Sequence, residues 1–143
     1  MASATEAPTV EEHVAAFNRQ VFGGYMALQA VGGIVFWLLL RTSSDVRSWI
    51  ELMPKEHAVT DAFIAADLFV GVVGSALSAW ALWRNDRWAV AVVAFTTGGI
   101  VYPTLFLASW VAYTSDGGPC LAVMVPPSIL SSWVAYQTWR LSR

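Results

Sequence analysis

Asp67 is the residue whose chemistry most needs a reason. It stands in the run Ala66-Asp67-Leu68-Phe69-Val70, apolar on both sides. A charge inside hydrocarbon costs roughly 2.5 to 3.5 kcal/mol on insertion scales, so a carboxyl in such a run marks a candidate site. Gly71, Gly74, Ser75 and Ser78 follow at i+4, i+7, i+8 and i+11, which places them on its helical face as a stripe of small residues for close helix approach. The spacing predicts that Asp67 points into a helix bundle. The plainer alternative is an aspartate bonded to a neighbour's hydroxyl or reaching toward the headgroups. Asp61, beside Thr60, reads instead as a helix N-cap, with its carboxylate on the positive end of the helix dipole.

Other apolar runs carry matching irregularities. Pro103 removes the backbone donor for the Gly99 carbonyl, beside Thr96, Thr97 and Tyr102. Pro126 and Pro127 do the same for Ala122 and Val123, at nearly the depth of Asp67, and Ser128 follows them. Tyr25, Gln29, Gly32 and Gly33 share one face of the first run. Broken backbone at membrane depth belongs where it is buried in protein or lines a wet cavity. These residues therefore predict an acceptor-rich pocket for a proton, a small cation or an apolar ligand bearing an amine. Its candidate ligand-binding residues are Asp67, Tyr102, Thr96, Gln29, Tyr25 and Ser128. Packing alone accounts for the same glycines, serines and prolines.

Several chemistries have no residues to carry them. His13 and His57 lie outside the apolar runs, so no pair of histidines holds a haem within the bilayer. Cys120 is the single cysteine, which excludes an internal disulfide and a thiolate cluster, and no zinc motif or phosphate loop is present. Neither a cofactor nor a metal is expected. Catalysis is left only as acid–base work by Asp67 or Asp61 on an apolar substrate, helped by Tyr102 or Tyr25. A net charge of −2 with no basic block gives no footprint for nucleic acid.

The elements that must position these residues follow from composition. Of 143 residues, 57% are apolar and only 13% charged, about half the charge of a soluble domain, so the solvent is a lipid bilayer. About 20 apolar residues cross it as a helix, and four stretches do so: 21–40, 61–83, 88–113 and 119–139. The fold class is all-α, one four-span bundle with no room for a second domain. Two short amphipathic helices are expected at the interface. One spans 10–20, opened by a Thr9/Glu12 capping box. The other spans 45–53, begun at Asp45 and stopped by Pro54. No basic segment opens the chain, so a cleaved signal peptide is not expected. Arg19, Arg84, Arg87, Arg140 and Arg143 on one side outnumber Arg41, Arg47 and Lys55 on the other. This imbalance orients both termini to the cytoplasm.

The Ala66-Asp67-Leu68 start of the second span, and the run from Trp80 to Trp88 around Arg84-Asn85-Asp86-Arg87, are similar to small bacterial four-helix membrane proteins, DoxX-like ones among them. The resemblance implies a four-helix fold in a bacterial plasma (inner) membrane and no particular activity. The layout also resembles the small multidrug exporters, whose first span carries an essential glutamate, but 21–40 contains no acid. Three functions are consistent with the sequence. The first is binding or moving a small cation or an apolar, amine-bearing ligand at Asp67. The second is service as a non-catalytic assembly subunit docked to a membrane-protein partner, and the third is the acid–base enzyme. A body this small has little interior, so a homo-oligomer is expected.

Overall fold

The computed structural model describes residues 9–51 and 57–143, and these are helical almost throughout. The elements are α1 (Val10–Thr42), α2 (Ser44–Ile50), α3 (His57–Ala66), a wide-turned segment Asp67–Val73, α4 (Gly74–Arg84), α5 (Ala89–Thr114) and α6 (Gly118–Leu141). Among the described residues four helices are long and apolar enough to cross a membrane, namely α1, the stretch Thr60–Arg84, α5 and α6. α1 packs along α4, α4 along α5 and α5 along α6, and a sparser contact of α6 with α1 closes the ring.

α1 opens on the expected capping box. Thr9 Oγ1 accepts from the Glu12 amide at 3.3 Å, and Glu12 accepts from the Thr9 amide at 2.8 Å. The helix then runs without interruption to Thr42, so residues 10–20 are its first turns rather than a separate element. In the loop after α1, Ser43 caps α2 through the Val46 amide at 3.3 Å. Met53 and Pro54, the predicted end of this loop helix, lie outside the described residues.

Asp61 differs from expectation. α3 begins at His57, so Asp61 lies inside the helix and caps nothing. Its carboxylate pairs with Arg47 at 3.1 Å and Arg41 at 3.8 Å, while Arg47 Nε also reaches the buried Glu51 at 3.1 Å. Bonding to Glu51, then the charge of Asp61, holds the Arg47 guanidinium more firmly protonated than usual. These pairs tie α2 across the ends of α1 and α3. Beneath them Ile50 packs with Trp37 and Leu40.

The interior pairs apolar clusters around Met26, Leu82 and Val93 and around Trp37, Leu40 and Ile50 with an unusual share of hydroxyls. Ser75, Ser78, Thr96 and Ser131 are fully buried, whereas Leu28, Phe69, Phe95, Leu105 and Ile129 are exposed. That inversion fits helices associating in lipid, where small and hydroxylated residues make the interfaces. Glycines provide the closest approaches. Val72 fills the space over Gly33, Val70 that over Gly99, and Thr96 packs on Gly74.

A Cβ at position 99 would collide with the Val70 side chain, while one at position 98 meets nothing within 4 Å. Gly99→Ala should therefore destabilise the protein by about 1–3 kcal/mol through overpacking. Gly98→Ala should hold or gain stability through better helix propensity. Thermal unfolding in detergent micelles compares the two variants directly.

Candidate ligand cavity

The second span is not a regular helix at the residue that matters most. From Asp67 to Val73 the backbone widens, and the Gly74 N–H donates to the Phe69 carbonyl five residues back. Such wide turns shift the phase of everything beyond them and are frequent at functional sites. Here Val70 and Val72 seat against the glycines of α5 and α1, and Gly74, Ser75 and Ser78 turn into the packed seams. Asp67 and Gly71 are left beside an open space.

That space is a cavity of about 240 Å³ among all four spanning elements. Gln29, Gly32 and Gly33 line it from α1, Asp67 and Gly71 from the wide turn, Gly99 and Pro103 from α5, and Val123, Met124 and Pro127 from α6. A Cβ added at Gly32 or Gly71 would meet nothing within 4 Å. A smaller cavity of about 60 Å³ adjoins it, sharing Phe36, Trp37, Asp67, Pro103 and Met124. It continues past Thr60 and Cys120 to Leu40 and Ile50, beneath α2. Asp67 thus stands where the two meet.

The walls are apolar apart from a few placed groups, the usual character of a small-molecule site. The Trp37 side chain lines both cavities beside the Asp67 carboxyl. Among the described residues no arginine or lysine forms an ion pair with Asp67. Thr60 Oγ1 is buried without a partner. The Gln29 amide forms the inner wall and is held from three sides. Its oxygen accepts from Tyr25 Oη at 2.6 Å and Ser131 Oγ at 2.8 Å, and its nitrogen donates to Ser75 Oγ at 2.8 Å. The single Tyr25 hydroxyl hydrogen is shared between Gln29 and the Pro127 carbonyl, 3.1 Å from Oη, which links α1 to the proline-broken turn of α6.

Of the six residues proposed from sequence, Asp67 and Gln29 line the cavity and Tyr25 stands behind Gln29. Thr96 lies 3.3 Å from Ser78 in the seam of α4 and α5, and Ser128 lies 2.6 Å from Thr104 in the seam of α5 and α6. Tyr102 is 74% exposed on the outer face of α5 and is not brought to the cavity. Trp37, Phe36, Met124, Thr60 and Cys120 line the walls and were not foreseen. The available signal for Trp37 was its place at i+4 from Gly33 on the buried face of α1, because a buried indole N–H needs an acceptor. Among the described residues no group of histidines, cysteines and acids could hold a metal ion. No family model, curated protein or solved structure matches this chain.

Gln29→Leu removes the shared partner of Tyr25, Ser75 and Ser131. At about 0.6 kcal/mol for each hydrogen bond between membrane helices, the loss should be about 2 kcal/mol. Tyr102→Phe should leave stability unchanged. Unfolding midpoints of the two variants in the same detergent check the contrast.

Proposed function

We propose that the protein binds a small apolar ligand carrying a protonated amine, with the amine on Asp67 and the apolar body in the larger cavity. One observation carries this reading: a carboxyl with no cationic partner among the described residues opens onto an apolar space of about 240 Å³. A cavity of about 150 Å³ already holds benzene, so a single ring with a short aminoalkyl arm fits. A bare metal cation is a poorer match, because hard cations take six or more oxygen ligands and, among the described residues, Asp67 is the lone carboxyl on these walls. An amine needs one strong acceptor, and apolar walls supply the remainder of the contact.

The setting we propose is a bacterial plasma membrane. The four apolar helices support insertion, and the arginine excess near Arg84, Arg87, Arg140 and Arg143 supports cytoplasmic termini. In that orientation the small cavity beneath α2 leads toward the outer face, the side on which the Arg41–Asp61–Arg47–Glu51 cluster ties α1, α2 and α3.

Thermal unfolding with benzylamine and its uncharged isostere ethylbenzene tests the reading. Wild type should be stabilised by benzylamine more than by ethylbenzene at equal concentration. Asp67→Asn should fold and bind benzylamine roughly tenfold or more weakly, the loss of one charge-assisted bond. Gly71→Leu should keep its stability and respond to neither compound, because the new side chain occupies the cavity. Equal benzylamine binding by wild type and Asp67→Asn would overturn the proposal.

A further inference from the structure

The first turns of α1 carry Glu11, Glu12, His13 and Arg19, too many polar groups for hydrocarbon. Yet Val10 is 79% and Phe17 67% exposed there, with Val14 exposed between them. Aligned apolar side chains outside the lipid mark an interaction surface. α1 passes from these turns into its apolar span without a break, so they cannot lie along the membrane surface as a separate amphipathic helix does.

The stripe also continues. Val21, Gly24, Leu28, Val31, Val35 and Leu38 extend it in unbroken alternating steps of four and three, and each is exposed. The face that packs into the bundle, through Met26, Ala30 and Trp37, is a different one. Lipid asks only for apolar residues and imposes no period. A strict 3.5-residue repeat over four heptads drifts about 20° per heptad from a straight helix, and a supercoiled partner is what keeps such a seam in contact.

We propose that this stripe is a two-fold interface with a second copy of the chain, α1 lying parallel to α1. Copies inserted in one membrane share their orientation, so a two-fold axis along the membrane normal sets each seam position against itself. No charged residue falls on the seam, and Gly24 at its middle lets the two backbones come close. From Val10 to Leu38 the seam is about 42 Å long at 1.5 Å per residue. That is the length of a four-heptad coiled-coil seam. Gly32, which lines the ligand cavity, borders Leu28 and Val35 of the seam. Val14, Phe17 and Val21 lie three or more helical turns from the cavity's Gly32 and Gly33, so crosslinking there reads the interface independently of the amine reading.

Single cysteines test the pairing in a Cys120→Ala background, in isolated membranes treated with copper–phenanthroline. Val14→Cys, Phe17→Cys and Val21→Cys should each form a disulfide-linked dimer. Ala16→Cys, off the seam, should not. Phe17→Glu, a change at an exposed position, should lower the mass in detergent from two chains to one. Absent dimer bands at the seam positions, equal bands at Ala16→Cys, a monomeric wild type, or a Phe17→Glu variant that stays dimeric would each overturn the proposal.

Discussion

The Gln29 side chain is the constraint on which the arrangement turns. An amide among apolar helices has no water to bond, and leaving it unpaired costs several kcal/mol. Its partners come from three helices at once: Tyr25 from α1 itself, Ser75 from α4 and Ser131 from α6. The direct packing of α6 on α1 is sparse, so these bonds do much to fix how the ring closes. The bond from Tyr25 to the Pro127 carbonyl extends the same network to the turn of α6 where proline has removed a donor. The polar groups of the interior are therefore spent on one another at this level. Next to them, around Asp67, they are not.

That contrast separates scaffold from site. Seams of α4 with α5 and of α5 with α6 are filled with matched hydroxyls and with glycines covered by neighbouring side chains. The cavity between them is lined by Gly32 and Gly71, with nothing over either, and by a carboxyl that has no cation among the described residues. The wide turn from Asp67 to Val73 links the two. It sends Val70 and Val72 into the glycine slots of α5 and α1 and leaves Asp67 and Gly71 on the open side. Tight packing and open space are thus produced by the same seven residues.

The four apolar helices were legible because hydrocarbon imposes a length and a composition that the chain meets four times. The importance of Asp67 and Gln29 was legible for a related reason, since polar groups in such stretches must have partners or a purpose. The wide turn was not legible. It coincides with the contacts of Val70 and Val72 with Gly99 and Gly33, and those contacts exist only after the helices pack. A regular 3.6-residue period puts Asp67 on the face of Ser75 and Ser78, whereas the structure gives the serines to the seams and the aspartate to the cavity. Tyr102 sits beside Pro103 in sequence, but α5 turns its ring outward. Asp61 has the residue type and position of an N-cap, but α3 starts four residues earlier and two arginines claim its carboxylate.

The central claim is that Asp67 holds an amine inside an open cavity. The most direct measurement is a crystal structure of the protein in lipid with 4-bromobenzylamine, its bromine located by anomalous scattering. The account predicts the nitrogen at hydrogen-bonding distance from the Asp67 carboxyl and the bromine in the space between Gly32, Gly71 and Met124. A bromine found only on the lipid-facing surface, or a cavity closed by inward-turned side chains, would contradict it.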